Sequence, residues 1–316
     1  MRETTTTFAK KWSSVRIKPL RFSSMGRTLR VGEMQLAIEG LAIARSIFSG
    51  DDACINDRVD GIRSVILDLD SDDDGSLAKY SVRVNELDLI AGYQLWAATY
   101  DALDNALITF EGPIVRQLVG PGPWGDVLDA CTGTGRHLAW LVEHAASVTG
   151  LDQSPEMLAI AKAKVPGASF VLGSLCDDHN GDLPDASFDL IVCSLALAHF
   201  PNLDEPVAAL ARLVRPGGRV VLSDSHPLFN ALDGQAFFPH EDGSTPFVRN
   251  YDHLVSDYLR AFRRAGLLVD ECLEPRLGPN DGPMASGVIA SIAPDAVRQA
   301  FLGLTSILAW SLHPAI

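Results

Sequence analysis

Short apolar runs rich in β-branched residues alternate with helical patterns from residue 125 onward. The apolar runs lie at 126–130, 147–152, 169–172, 188–194, 219–224, 267–274 and 306–312. Helical spacing fills 137–144, 154–164, 203–213 and 294–304. Strands and helices that alternate at this spacing form a parallel sheet covered by helices on both faces. The pattern predicts an α/β fold with a seven-stranded, mostly parallel sheet.

The residues ahead of this alternation carry a different pattern. Apolar residues recur at helical spacing over 29–48 and over 84–106, whereas 63–76 fits a strand or a helix equally well. The first thirty residues have the composition of an organellar transit peptide, although a terminal arm is the interpretation that we prefer. We predict an N-terminal arm and helical extension over 1–84, serving as a lid or for dimerisation, and a main domain over 85–316.

Composition excludes several classes of partner. The chain has 26 Lys and Arg against 40 Asp and Glu, so it lacks the positive charge that nucleic acid requires. No run of about 18 apolar residues occurs, and no membrane segment is predicted. The cysteines lack disulfide spacing, which favours reduced thiols in a cytoplasmic protein. We expect a homodimer paired through the N-terminal helices.

The first strand of the alternation runs into a glycine-rich turn, VLDACTGTGRH, at 127–137. Such a turn between a strand and a helix brings the backbone close to a ligand. The dinucleotide fingerprint G-x-G-x-x-G would use Gly133 and Gly135, but its third position is Leu138. Asp152, at the end of the second strand, is suited to a ribose diol. The turn therefore favours a ligand with a ribose but without a pyrophosphate.

Four motifs follow one another in the chain: VLDACTGTGRHLAWL, VTGLDQSPEMLAIAKAK, DLPDASFDLIVCSLALAHF and LARLVRPGGRVVLSD. Their order and spacing resemble those of class I S-adenosylmethionine-dependent methyltransferases of the small-molecule, natural-product type, over roughly residues 90–275. The resemblance implies a Rossmann-like fold, S-adenosyl-L-methionine as cofactor and S-adenosyl-L-homocysteine as product.

The resemblance also implies roles for individual residues in the turn and after the second strand. Asp129, Gly133 and Gly135 would shape the turn around the methionine part of the cofactor. Asp152 would bind the ribose hydroxyls, and Gln153 would flank the adenine.

Further cofactor contacts would follow the third and fourth strands. Ser174 and Leu175 would contact the adenine ring, and Ser194 with its neighbour Leu195 would lie beneath the sulfonium.

Two positions depart from the family pattern. Cys131 replaces the first small glycine of the turn. Ser174 replaces an acid, so the adenine amino group would meet Asp177, Asp178 or water. Both departures bear on cofactor affinity more than on the fold.

An aromatic stripe precedes the first strand of the alternation. Tyr93, Trp96 and Tyr100 recur at helical spacing, which is typical of a core. The stripe also resembles a segment that covers the cofactor in small-molecule methyltransferases, so Tyr93 and Tyr100 are candidate cofactor contacts and Trp96 is assigned to packing.

Three histidines are candidate catalytic bases, because histidine takes up protons near neutral pH. His226 follows the fifth strand, His199 follows the fourth, and His253 opens a later helix. No third ligand accompanies His226 and His253, so no metal site is predicted. The acidic stretch at 70–77 matches part of an EF-hand loop but lacks its final glutamate, as Ser81 stands there.

Residues 230–250 form a long insertion after the fifth strand, and long ordered loops often act as lids. Its aromatic residues, Phe237, Phe238 and Phe247, favour an apolar or aromatic substrate but fit a local core equally well.

The sequence thus predicts methyl transfer to a small-molecule metabolite, to oxygen before carbon before nitrogen, with a natural product or quinone as substrate. One alternative is a cyclisation or rearrangement that uses the same cofactor site without methyl transfer. A second alternative is a catalytically silent partner subunit, which would be expected to have a damaged turn or ribose acid. Gly133, Gly135 and Asp152 are all intact.

Overall fold

A computed structural model describes residues 26–49, 51–101, 105–177, 182–232, 234–281 and 287–315. Residues 1–25, which are most of the predicted N-terminal arm, and Asp178 lie outside these ranges. The helices are α1 (Val31–Ser46), α2 (Asp52–Asp70), α3 (Leu89–Trp96), α4 (Ala106–Val119), α5 (Leu138–Leu141), α6 (Pro155–Lys164), α7 (Asp204–Leu213), α8 (Pro227–Ala231), α9 (Val255–Arg264), α10 (Gly287–Ile292) and α11 (Pro294–Phe301). The strands are β1 (Arg27–Arg30), β2 (Ser81–Val84), β3 (Glu86–Leu87), β4 (Trp124–Ala130), β5 (Ala145–Asp152), β6 (Ser169–Leu172), β7 (Phe188–Ser194), β8 (Val214–Ser225), β9 (Ala236–Phe237), β10 (Phe247–Val248), β11 (Leu267–Leu273) and β12 (Ile307–Pro314).

The main sheet has seven strands in the order β11-β12-β8-β7-β4-β5-β6. Strands β8, β7, β4, β5 and β6 are parallel, and β12 pairs antiparallel with both β8 and β11. The predicted seven-stranded, mostly parallel Rossmann-like sheet is therefore confirmed. The carboxyl ends of β4, β5 and β7 meet at one edge, where ligands bind in open parallel sheets.

Two hydrophobic cores lie on opposite faces of this sheet. Val127 and Leu190 pack against α4 and α5, whereas Leu128 and Ile191 pack against α7 and α9. Successive side chains of a strand point to opposite faces, so a strand covered on both sides needs a continuous apolar run. This requirement produced the runs that the sequence shows.

The N-terminal helices pack against each other and against the last helix of the chain. Helix α1 lies against α2 and α11, and Val31 shares a small core with Ile289 and Val297. Arg45 donates from its guanidinium to the carbonyl oxygens of Ala300 and Leu302, at 2.7 and 2.8 Å. The first predicted helix is confirmed, and the ambiguous stretch at 63–76 is largely the end of α2.

The predicted continuous helix at 84–106 is wrong. The chain forms β3, then α3 and a 3-10 turn at Ala97–Thr99, and α4 starts anew at Ala106. Asp88 accepts from the backbone N–H of Ala91, and Asn105 accepts from that of Ile108. A side chain that caps a helix N-terminus begins a new helix there. Helix α4 was not predicted, because it carries a proline, Pro113, in its interior.

The insertion at 230–250 forms part of a second small sheet. Strand β10 lies between β3 and β9, which gives the order β3-β10-β9. We call β3, α3, β9 and β10 the roof, because α3 carries cleft-lining residues and the small sheet packs behind it.

Candidate active site

The glycine turn after β4 is held in a left-handed backbone conformation at three residues. The φ angles are 58° at Cys131, 55° at Gly133 and 76° at Gly135. Cysteine rarely adopts this region because its Cβ crowds the backbone, at a cost of roughly 1–2 kcal/mol. Cys131 therefore occupies a backbone conformation that glycine adopts without this cost.

Two hydrogen bonds fasten the turn to the strands beneath it. The hydroxyl of Thr132 donates to the buried carboxylate of Asp129 over 2.6 Å. The backbone N–H of Thr132 donates to the carbonyl oxygen of Leu151 in β5 over 2.9 Å. Burial raises the pKa of Asp129, although His137 and the Thr132 hydroxyl oppose that shift. Asp129 thus fixes the turn from below.

Asp152 receives two backbone N–H groups at the mouth of the turn. Gly133 donates to Oδ2 over 2.7 Å, and Ser154 donates to Oδ1 over 2.9 Å. Burial raises the pKa of Asp152, and these hydrogen bonds act in the opposite direction. A carboxylate can accept about four hydrogen bonds. The backbone N–H of Gln153 also lowers the pKa of this carboxyl group, and the remaining hydrogen-bonding capacity of the carboxylate is open to a hydroxyl group of a ligand.

A cleft opens at the carboxyl edge of the sheet, beside this turn. It has an empty volume of about 620 Å³, part of which is open to solvent. Its lining residues come from α3, the turns after β4 to β7 and the start of α6: Leu89, Ile90, Tyr93, Tyr100, Cys131, Gly133, Asp152, Gln153, Ser154, Met157, Gly173, Ser174, Ser194, Leu195, Ala196, His199 and Phe200. No lysine or arginine occurs among these residues.

Most of the predicted cofactor residues meet in this cleft. Those that line it are Tyr93, Tyr100, Cys131, Gly133, Asp152, Gln153, Ser174 and Ser194. Three do not: Asp129 lies beneath the turn, Leu175 lies in the hydrophobic core, and Gly135 packs closely on Ala161 of α6. Asp177, an alternative adenine contact, accepts from the backbone N–H of Ser174 over 2.8 Å.

Among the predicted bases, His199 lines the cleft, and it is hydrogen-bonded on both ring nitrogens. Its Nδ1 lies 2.8 Å from the carbonyl oxygen of Arg249, and its Nε2 lies 2.7 Å from the hydroxyl of Tyr93. A carbonyl oxygen only accepts, so Nδ1 carries the proton and Nε2 accepts from Tyr93. Burial lowers the pKa of His199 and raises that of Tyr93 well above its ordinary value.

His226 and His253 lie outside the cleft lining and have structural contacts. His226 Nδ1 accepts from the backbone N–H of Leu228 and so caps α8, while Nε2 lies 2.9 Å from Glu274. His253 Nε2 donates to the carbonyl oxygen of Phe200 over 2.7 Å. Neither side chain lines the cleft, and their catalytic roles stay predictions.

The aromatic stripe and the insertion pack against each other beside the cleft. Trp96 stacks on Phe238, with ring centroids 4.9 Å apart, and on Tyr93 at 5.8 Å. Phe238 and Phe247 are buried, whereas Phe237 is 42% exposed. Phe238 belongs to a local core with Trp96 and Val248, Phe237 contacts the ring of Phe247, and none of the three phenylalanines lines the cleft.

A buried charged network under the turn was not predicted. Glu111 of α4 contacts Arg136 at 2.7 Å, His137 at 3.3 Å and the hydroxyl of Ser223 at 2.5 Å. Burial alone would raise the pKa of Glu111, but His137, Arg136 and Ser223 outweigh it and lower the pKa to about 2. Only the fold brings Glu111 to these partners, so no local sequence signal marks it.

Several cleft residues also escaped sequence analysis. Leu89, Ile90, Met157 and Phe200 contribute apolar walls. Met157 stands in the second motif, and Phe200 ends the third, so their positions in the motifs were available signals. Within the described residues, no cluster of three or more side chains is suited to a metal, and no helix is long and apolar enough to cross a membrane.

Comparison with known proteins agrees with this geometry. The family described as Methyltransferase domain matches residues 128–222, from β4 through most of β8. Residues 128–222 thus match a methyltransferase domain, the kind of domain found in class I S-adenosylmethionine-dependent methyltransferases. The cofactor of this class is S-adenosylmethionine.

Individual relatives match this domain only in part. A demethylmenaquinone methyltransferase of Tropheryma whipplei is 36% identical over 114 residues, which are 35% of this chain and 46% of that protein. A nocamycin O-methyltransferase of Saccharothrix syringae is 34% identical over 139 residues, 42% of this chain and 49% of that protein. The chain spans about half the length of the curated relatives it matches.

The fold itself recurs among solved structures. A Haloferax volcanii methyltransferase, in complex with the Trm112 methyltransferase activator, aligns with a TM-score of 0.55 at 21% identity. The alignment covers 72% of this chain and 98% of that one.

Proposed function

We propose that the cleft binds S-adenosylmethionine and that the protein transfers its methyl group to a small-molecule acceptor. The observation that carries the proposal is the Gly133–Asp152 pair, in which a half-buried carboxylate keeps hydrogen-bonding capacity beside an open glycine. A Cβ built on Gly133 would meet no atom within 4 Å, so the backbone there is accessible to a ligand.

The residues of the cleft fit the parts of this cofactor. Asp152 is suited to the ribose diol, because ionised carboxylates form strong hydrogen bonds with hydroxyl groups. Gln153 and Ser174 also line the cleft, and they would hold the adenine there. Ser194 Oγ is buried and has no hydrogen-bond partner among the described residues, which leaves it available to a ligand. When bound, S-adenosylmethionine supplies an electrophilic methyl group and a neutral leaving group.

The acceptor is proposed to be uncharged and largely apolar. Leu89, Ile90, Leu195 and Phe200 line the cleft, and among the described residues no lysine or arginine lines it to pair with a phosphate or a carboxylate. Two relatives of the chain are a demethylmenaquinone methyltransferase and a nocamycin O-methyltransferase. Their names support a quinone-like or natural-product acceptor. We propose oxygen as the methylated atom before carbon and nitrogen.

The two-part organisation, with a helical extension before residue 85 and the methyltransferase domain after it, remains a proposal. Among the described residues, none from 26–84 lines the cleft. Arg83 contacts Asp242 of the insertion at 2.6 Å, and its carbonyl oxygen accepts from the backbone N–H of Thr245. These contacts support a role of the extension in holding the roof. A role in pairing two protomers can be measured by light scattering.

Methyl transfer is tested with S-adenosylmethionine labelled in its methyl group and a panel of hydroxylated quinols, phenols and enols. We expect label in the organic product and an equal amount of S-adenosylhomocysteine. Asp152→Ala is the matched inactive variant, and Asp57→Ala, at an exposed position of α2, is the control. Stoichiometric S-adenosylhomocysteine without label in any acceptor would instead indicate hydrolysis of the cofactor.

A further inference from the structure

Tyr93 and His199 form a hydrogen-bonded pair in the wall of the cleft, 2.7 Å from hydroxyl oxygen to Nε2. We propose that this pair is a proton relay that ionises a phenolic or enolic hydroxyl of the acceptor. The inference rests on the proposed function and goes beyond it by naming the base and the class of acceptor.

The direction of proton transfer is set by a backbone carbonyl group directly after β10. The carbonyl oxygen of Arg249 accepts from Nδ1 of His199 over 2.8 Å, which leaves Nε2 as the basic nitrogen. Arg249 is itself fixed, because its guanidinium contacts both carboxylate oxygens of Glu86, at 2.6 and 2.5 Å. The imidazole is thus oriented with its lone pair toward Tyr93.

Two further contacts hold the short turn at Leu197–His199 that carries the imidazole. The backbone N–H of Tyr251 donates to the carbonyl oxygen of Ala198 over 2.7 Å. His253 binds the carbonyl oxygen of Phe200. The relay is therefore built into a rigid part of the site, which a general base needs.

The surroundings favour a neutral histidine. Burial lowers the pKa of His199, and its hydrogen bond to the Arg249 carbonyl only partly opposes this shift. The titratable groups whose charges act on Tyr93 are Tyr100, Asp152, Cys131 and Asp224, and all of them raise its pKa, so that Tyr93 keeps the proton that it donates to His199.

The proposed proton path runs from the acceptor through Tyr93 to His199. The acceptor O–H bond breaks and its proton goes to the hydroxyl oxygen of Tyr93, while the proton of Tyr93 passes to Nε2 of His199. The oxygen keeps the electron pair and uses it to form the new bond to the methyl carbon, while the bond between that carbon and sulfur breaks and its electron pair stays on the sulfur of the neutral leaving group. The positive charge that the sulfonium loses resides on the imidazolium, which then releases its proton to water.

The class of acceptor follows from the strength of this base. A neutral imidazole with a lowered pKa removes protons from acidic hydroxyls and not from aliphatic alcohols. Phenols and enols meet this condition, and their anions react at oxygen or at the neighbouring ring carbon. The apolar walls at Leu89, Ile90 and Phe200 suit the rest of such a ring.

The relay is tested without turnover, using 4-nitrophenol as a probe whose phenolate absorbs visible light. Calorimetry first establishes that the protein binds S-adenosylhomocysteine. 4-Nitrophenol is then titrated with that complex, at a pH where the free probe is mostly protonated. The variants are Tyr93→Phe, which removes the hydroxyl, and His199→Asn, whose amide can still donate to Arg249. Tyr80→Phe, at a 56% exposed tyrosine outside the cleft, is the control.

We expect bound probe to absorb as phenolate in the wild type and in Tyr80→Phe. In Tyr93→Phe and His199→Asn we expect the phenolate fraction to fall about tenfold, as when the pKa of the probe returns to its solution value. Absence of binding to the complex, binding without ionisation, or ionisation that persists in both variants would overturn the relay. Failure to bind S-adenosylhomocysteine would instead overturn the proposed function on which the relay rests.

Discussion

The backbone N–H of Gly133 donates to Oδ2 of Asp152 over 2.7 Å, which joins the turn after β4 to the end of β5. The two strands are parallel neighbours, with Ala130 opposite Leu151. The glycine that exposes the backbone and the acid proposed to bind the ribose are therefore one structural unit. A change in either one is expected to displace the other.

Gly135→Ala should lower the free energy of unfolding more than Gly133→Ala. Both glycines have positive φ, so both variants incur a backbone cost of about 1–2 kcal/mol. A Cβ at Gly135 would also lie 3.1 Å from the Cβ of Ala161, whereas one at Gly133 would meet open space. Overpacking of this kind typically costs a further 1–3 kcal/mol. Urea denaturation measures the difference, and equal losses in the two variants would contradict the packing argument.

Cys131 should tolerate glycine but not valine. Glycine adopts the φ of 58° without strain, whereas a β-branched residue is disfavoured there. We expect Cys131→Gly to unfold within about 1 kcal/mol of the wild type and Cys131→Val to lose about 2 kcal/mol or more. Chemical denaturation measures both variants. A valine variant as stable as the glycine variant would show that the turn relaxes out of the left-handed region.

Asp224 should make the protein less stable as the pH rises. Burial raises its pKa from 3.8 to about 7, although hydrogen bonds from Tyr258 and from the backbone of Ser225 and Ala198 oppose the shift. Between these values the folded state binds a proton that the unfolded state lacks. Its contribution is therefore fully present below about pH 4 and is lost as the pH rises through about 7.

The matched variant for this effect is Asp224→Asn, which is neutral at every pH. We expect the free energy of unfolding of Asp224→Asn to rise relative to that of the wild type from pH 5 to pH 8, by at most about 3 kcal/mol. Denaturation across this range measures the difference. A difference that stays constant with pH would show that Asp224 is ionised in the folded protein throughout.

His226 is predicted to stabilise α8. Its Nδ1 accepts the backbone N–H of Leu228, and loss of such a cap costs about 1 kcal/mol. His226→Ala should lose this stability, while His226→Asn should keep most of it because asparagine also caps helices. Turnover measured beside stability then tests the base role expected from the sequence. A large fall in turnover for both variants, at unchanged stability in His226→Asn, would favour that role.

The strands of the main sheet could be predicted because they depend on local sequence patterns. Strands covered on both faces need continuous apolar runs, and Ser154 with Pro155 marks the start of α6 by capping chemistry that sequence alone displays. The break between α3 and α4 was missed because Asn105 looks like an ordinary polar residue until its side chain is seen to cap Ile108.

The candidate site divides in the same way. Gly133 and Asp152 belong to local motifs with fixed spacing, so sequence placed them correctly at one cleft. Tyr93 and His199 are 106 residues apart in the sequence, and their pairing depends on the tertiary contact between α3 and the turn that follows β7. His226 follows a strand that ends near the site, yet its ring turns to Glu274, a choice set by tertiary contacts.

The central claim is that Asp152 and the Gly133 turn bind S-adenosylmethionine, and calorimetric titration tests it most directly. Wild-type protein, Asp152→Ala and the exposed control Asp57→Ala would each be titrated with S-adenosylmethionine and with S-adenosylhomocysteine. We predict binding of both ligands to the wild type and the control, and an affinity weaker by about 1–3 kcal/mol in Asp152→Ala, because charge-assisted hydrogen bonds are lost. Equal affinity in the folded Asp152→Ala variant, or no binding to the folded wild type, would contradict the claim.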